Sequence, residues 1–252
     1  MSRVLPCLLM LSAFAATVVG ASSAHAESAP SRQSLFNGFF FDFGLGYAGE
    51  AGEDGPAIPN VVGTVKVGNV TTKTTISLQG LGGYDQLVTS RVGDGLGLLL
   101  KIGYNIEGYV SLWFDIDGHG NPSSNKAKLS GGGTVAFMAG VHPMRFVRPK
   151  SPVDFQLYAG YAPFAILAYN EPISEPGNQT GKSWTGSAVP FGLHTRWKPN
   201  ADSVFVAGLD LRAVYASYDT WWWNWNREEK ATLSEPVTTL RFIPRVTVGV
   251  QF

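Results

Sequence analysis

The sequence predicts an all-β chain, an eight-stranded antiparallel up-and-down barrel that crosses a membrane with its strands. Three observations predict it. Apolar and polar residues alternate with a period of two in eight segments. The connections between those segments alternate between long and short. The chain also opens with an export-type leader, yet offers neither a cysteine framework nor an apolar helix.

The leader comes first. In MSRVLPCLLMLSAFAATVVGASSAHAES, Arg3 precedes an apolar run over 4–19, and Ala24-His25-Ala26 forms a small-x-small cleavage site. The run is too short to span a bilayer as a helix. Residues 1–26 are therefore expected to be removed, 27–35 to form an N-terminal segment, and 36–252 to form the barrel. The single cysteine, Cys7, lies inside the leader, so disulfides hold nothing together in the exported part. Basic and acidic residues balance at 19 each, which argues against nucleic acid as a partner.

The strands follow in order. In GFFFDFGLGYAG, Phe39, Phe41, Phe43, Leu45 and Tyr47 share one face. Segment 94–105 aligns Leu96, Leu98, Leu100, Ile102 and Tyr104, and 108–118 aligns Val110, Leu112, Phe114 and Ile116. Val135, Phe137, Ala139 and Val141 follow in 131–143, then Phe155, Leu157, Ala159, Tyr161 and Pro163 in 153–168. Segment 184–197 gives Val189, Phe191, Leu193, Thr195 and Trp197. Segment 203–218 gives Phe205, Ala207, Leu209, Leu211, Ala213 and Tyr215. The closing RFIPRVTVGVQF, with Leu240 before it, aligns Leu240, Phe242, Pro244, Val246, Val248, Val250 and Phe252. None of these positions is charged, in a chain whose charged content is 15%. The opposite faces carry Asp42, Lys101, Asp115, Asp117, Asp154, Arg196, Asp210, Arg212, Arg241 and Arg245 among many small residues. Pro163, Pro190 and Pro244 each remove a ladder donor, so bulges are expected there.

The connections separate a membrane barrel from a soluble sandwich. Those at 49–93, 119–130, 169–183 and 219–236 are long, and those near 106–107, 144–152 and 198–202 are short. Membrane barrels show this asymmetry, and Greek-key sandwiches have no reason to. In the first long connection, VVGTVKVGNVTTKTTISLQ reads as a hairpin about Gly68-Asn69. Its threonine-rich faces favour projection above the membrane; insertion would make ten strands.

With Arg245, Val250 and Phe252 at the polar, hydrophobic and terminal aromatic positions of its last strand, the chain resembles small outer-membrane β-barrels of Gram-negative bacteria. These are the outer membrane protein A and X type. Thr247 stands where a glycine is common in that pattern. The resemblance covers nearly all of 27–252 and rests on pattern more than on a family motif. It implies an outer-membrane location with both termini in the periplasm, contact with outer-membrane lipid, and recognition of Phe252 by the barrel-assembly machinery. Physically, pairing of the last strand with the first leaves no edge facing lipid. Phe252 then joins Tyr104 and Trp197 in one aromatic girdle, with Tyr47 and Tyr215 in the other. No peptidoglycan-binding domain is expected after Phe252.

The inward faces supply the candidate sites. Asp42, Lys101, Asp115, Asp117, Asp210, Arg212 and Arg245 fall near mid-height, with Arg241 higher. They form a lumen charge network, with Arg245 expected to pair with Asp42 and Asp210 across neighbouring strands. A second polar cluster near the short-turn end comprises His142, Asp154, Gln156, His194 and Arg196. Metal or acid–base chemistry there is weighed below a hydrogen-bonded floor. In DTWWWNWNREEK, the residues Trp221, Trp222, Trp223 and Trp225 form a possible surface-binding loop for an extracellular ligand. No cofactor, metal or catalytic group is expected. The reading is a structural or surface-interaction barrel with a charge-plugged lumen. A narrow channel for small polar solutes or ions is the alternative, and a lipid A-modifying enzyme comes third, because no lipid-facing position is Ser, His or Asp.

Overall fold

The computed structural model describes residues 35–52, 60–77, 92–120, 129–169, 182–200, 202–224 and 228–252. The expected leader lies outside the described residues. In chain order the strands are β1 (Gly38–Gly52), β2 (Asn60–Val67), β3 (Val70–Ser77), β4 (Val92–Ile106) and β5 (Val110–Gly120). Then follow β6 (Leu129–Val141), β7 (Val153–Tyr169), β8 (Lys182–Trp197), β9 (Phe205–Asn224) and β10 (Glu229–Gln251). One helical turn, α1 (Pro143–Val147), sits between β6 and β7.

Eight strands close into a ring, β1-β4-β5-β6-β7-β8-β9-β10, every pair antiparallel, with β10 returning to β1. In the closing pair Phe41 faces Val250 and Leu45 faces Val246. The terminal residue is tied in as well, its amide donating to the Phe39 carbonyl at 2.9 Å. Closure satisfies both edges, which a structure surrounded by lipid requires.

The hairpin β2–β3 stays out of the ring. Its turn uses Gly68 at φ +58°, a left-handed conformation that glycine adopts without strain. Of the ring strands β2 pairs with β10 alone, at its upper end, Lys230–Leu233, while the lower end of β10 pairs with β1. The hairpin therefore projects beyond the barrel, as its threonine-rich faces suggest. The strands also differ in reach. A membrane-crossing strand needs about 9–11 residues; β5 has 11, whereas β9 and β10 have 20 and 23. The surplus, with the hairpin, builds a wall above one side of the ring.

That wall corrects the reading of 219–236 as a loop. β9 runs through Asn224 and β10 resumes at Glu229, because inward-facing Trp221 continues the buried stripe and packs on Trp184. The β10–β9 register shifts at the top, between Glu229 and Lys230, and again lower, between Thr232 and Val237. The proline expectation is corrected too. Pro163 does lie in a bulge, since register shifts between Ala162 and Ala165. Pro190 stays in register against Val214. Pro244 pairs with Leu211 and leaves a gap, without a shift, in the ladder to β1. One missing donor interrupts a ladder but does not by itself insert a residue.

The two faces of the ring are inverted relative to a soluble protein. Outward Phe43, Leu98, Leu157, Phe191, Leu211 and Val246 are 43–63% exposed. Inward Asp115, Asp210, Arg241 and Arg245 are at most 1% exposed. Tyr104, Trp197 and Phe252 stand exposed at the short-turn end, and Tyr47 and Tyr215 at the other.

Candidate functional site

Period-two alternation sends one residue in two inward, and closure brings those residues to a common lumen. All eight charges of the expected network are buried there. Arg212 on β9 reaches β5, four places away in the ring of eight and so diametrically opposite. It donates to both oxygens of Asp115, at 2.9 and 3.1 Å, and its Nε lies 3.3 Å from Asp117. Arg245 donates to Asp117 at 2.8 Å. Arg241 stands 4.0 Å from the same carboxylate and donates to His119 Nδ1 at 2.9 Å and to the Tyr218 hydroxyl at 3.3 Å. Lys101 pairs with Asp210 at 3.1 Å, and the Tyr158 hydroxyl donates to Asp210 at 2.5 Å.

These partners differ from the expected ones. Arg245 meets neither Asp42 nor Asp210 but Asp117, because long guanidinium arms span a lumen that eight strands leave one side chain wide. Glycines make the room: a Cβ on Gly97 would lie 3.3 Å from the Arg245 Nε and 3.1 Å from the Ile243 Cγ2. Asp42 belongs instead near Arg196, at 3.9 Å.

The second expected cluster is buried but divides in two. In one half, His142 Nδ1 donates to Asp154 at 2.5 Å, and Arg145 of α1 donates to the other Asp154 oxygen at 3.1 Å. His142 Nε2 also meets Ser111 Oγ, which contacts Asn105 Oδ1. Burial holds the His142 imidazole below its usual range, outweighing the pull of Asp154 in the other direction. In the other half, His194 Nε2 lies 2.8 Å from Thr247 Oγ1, and Arg196 donates to Gln251 at 3.3 Å. Gln156 is buried next to Gly140 and Trp113. Among the described residues no group of three His, Cys, Asp or Glu could hold a metal ion.

Several contributors have no place in the sequence reading. Phe36 lies under the guanidinium groups of Arg145 and Arg196, at 4.4 and 5.2 Å, and Arg196 also covers Phe40 at 5.1 Å. Lys101 lies over Tyr158 and Trp113, at 5.0 and 5.6 Å, and Trp113 donates to Asp115 at 3.1 Å. Cation–π contacts thus join the ion pairs to the floor. Trp113 and Tyr158 share the parity of the lumen charges and could have been found by it. Arg145 sits in a turn where no period applies. Ser111, His142 and Asp154 follow the order of a nucleophile, base and orienting acid. All three are sealed from solvent, with Arg145 engaging the acid and Asn105 the serine.

The upper lumen is apolar. Trp184 and Trp221 pack in a tilted pair with centroids 5.1 Å apart, beside buried Leu167, Tyr218, Ala231, Leu233 and Ile76. Of the tryptophans expected on a surface loop, Trp221 is thus inside. Trp222 is half-buried, donating from its indole to Thr185 at 2.9 Å beneath the Lys230 ammonium. The backbone of Trp223 belongs to the last stretch of β9, before Asn224, and Trp225 lies outside the described residues.

No protein-family model and no curated protein sequence matches the chain. Among solved structures it is similar to Neisserial surface protein A, at 12% identity and TM-score 0.44, over 85% of this chain and 97% of that one. It is also similar to the attachment invasion locus protein Ail of Yersinia pestis, at 13% and 0.39, over 84% and 98%. The outer membrane protease OmpT of Escherichia coli follows at 6% and 0.33, over 85% and 97%. At such identities and scores, no activity carries over from these proteins.

Proposed function

We propose that the chain is an integral outer-membrane barrel with a closed lumen, a non-enzymatic structural or surface-interaction protein that meets its surroundings through the wall and loops at the long-connection end. The observation that carries this reading is the inversion of the ring: exposed Phe, Leu and Val outside, fully buried Asp, Lys and Arg within. An apolar belt that wide on a water-soluble monomer would drive aggregation; in a bilayer it is the stable face. Both ends of the ring fit the orientation. Gly38 and Phe252 lie together at the short-turn end, which supports an orientation with that end facing the periplasm. Phe252 there serves as rim anchor and as the mark read by the assembly machinery.

Closure of the lumen rests on three stacked layers: cation–π contacts at the floor, ion pairs at mid-height and paired tryptophans above. A narrow channel would need a continuous file of water through all three. Surface labelling tests the orientation. The exported chain has no cysteine, so Thr72→Cys on β3 and Lys150→Cys after α1 give single reporters. In a Gram-negative host, a membrane-impermeant maleimide should label position 72 on intact cells and position 150 only after permeabilisation. The reverse pattern would reject the assignment.

A further inference from the structure

The short-turn rim carries a feature that neither the lumen nor the wall uses. Between Val141 and Val153 the chain reads HPMRFVRPKSP, with three basic side chains and no acidic one. Arg145 turns inward and staples this segment to the floor. It donates to the carbonyls of Pro149 at 2.9 Å, Ser151 at 3.0 Å and Val153 at 3.3 Å, besides its bond to Asp154. With Arg145 fixed inside, the next residues are held outside. Phe146 is 65% exposed and Val147 79%, the most exposed large apolar side chain among the described residues. Arg148 and Lys150 follow, both exposed and without an ion-pair partner among the described residues.

A largely exposed Phe-Val pair on a stapled turn would be a standing cost in water. Its position removes that cost. Phe146 packs on Tyr109 of the adjacent short turn, ring centroids 5.0 Å apart. Tyr109 leads into the outward column of Ile106 and Leu112, both exposed. The apolar pair therefore continues the lipid-facing belt at the inner rim, where two cations meet the headgroups. Among the described residues, the nearest exposed acid in sequence is Glu107, on the Tyr109 turn.

We infer that residues 143–150 form a preorganised lipid site in which Phe146 and Val147 enter the periplasmic leaflet and Arg148 and Lys150 bind the phosphate of an anionic phospholipid. The inference rests on the membrane reading above. Charge complementarity and continuity with the belt favour a lipid over a protein partner. Each basic residue near an anionic headgroup contributes about 1 kcal/mol. Removing both should weaken retention roughly 30-fold.

The test uses the refolded exported chain in detergent, offered equal amounts of phosphatidylglycerol and phosphatidylcholine, with bound lipid counted by native mass spectrometry. The wild type should retain phosphatidylglycerol preferentially. Arg148→Gln/Lys150→Gln should abolish that preference without changing heat-modifiable gel mobility, and Phe146→Ser should reduce retention of both lipids. Equal retention by the wild type, or an undiminished preference in the double variant, would overturn the site and leave this rim to a protein partner. Failure of the wild type to insert into vesicles of either lipid would instead overturn the membrane reading itself.

Discussion

Replacing Arg212 by methionine, which keeps much of the side-chain volume and removes the charge, should destabilise the barrel more than any other single change in the mid-height charge network. Arg212 serves two carboxylates at once, Asp115 through two bonds and Asp117 through its Nε, and all three side chains are fully buried. Without the guanidinium, Asp115 keeps only the Trp113 indole donor at 3.1 Å, and Asp117 keeps Arg245 at 2.8 Å. Breaking a buried pair from one side costs about 3–5 kcal/mol, because the orphaned charge stays in a poor solvent. Neutralising the orphan as well, in Asp115→Asn/Arg212→Met, should return about 0.5–3 kcal/mol, the coupling usual for side chains in direct contact. Equilibrium urea unfolding of the vesicle-inserted barrel, followed by tryptophan fluorescence and by gel mobility, gives the four corners of the cycle. A single variant within about 1 kcal/mol of the wild type would show that these carboxylates do not depend on Arg212. An additive cycle would refute the direct pairing.

Arg245→Ala, which removes a single 2.8 Å bond to Asp117, should cost less than Arg212→Met but more than Trp222→Ala, in the same unfolding assay. Trp221→Ala should open a cavity against Trp184 worth about 3–5 kcal/mol locally, seen as faster proteolysis of the wall while the ring keeps its heat-modifiable mobility. On the outer face, Leu211→Arg should cost about 2–4 kcal/mol near the bilayer midplane, and Phe252→Arg at the rim about 0–1; equal losses would contradict the placement of the belt. His142 gives a pH dependence. Its folded-state pKa lies below the unfolded value of about 6.5, so its contribution is complete above that pH and is lost as the pH falls through the folded value. His142→Gln should flatten the part of the acid limb that begins near that pH; an unchanged limb would show that the imidazole is not held neutral.

How much of this was legible in the sequence depended on which regularity governed each residue. Alternation located the ring strands and sorted inside from outside, because side-chain direction in a strand follows parity alone. It placed Asp115 and Arg212 in one lumen but not at one contact, since parity carries no information about which strands stand opposite across a closed ring. For that reason register alone pairs Arg245 with its strand neighbours, whereas the guanidinium arm crosses the lumen to Asp117. The Trp221 stretch looks like a loop in the sequence because its polar and charged sequel, NWNREEK, resembles a connection. In the structure β9 carries the ladder through Trp221 and Trp222, and the register shift near 232–237 falls later. Arg145 and Phe36 lie just outside the periodic segments, in a turn and before the first strand, so no pattern marked them as floor residues.

The most direct test of the closed, non-conducting barrel is single-channel recording of the refolded protein in a planar bilayer, with insertion verified by heat-modifiable mobility. No conductance steps should appear, because cations, ion pairs and paired tryptophans occupy successive levels of the lumen. Reproducible steps whose size changes in Arg212→Met would contradict closure and make the lumen charges the selectivity device of a pore.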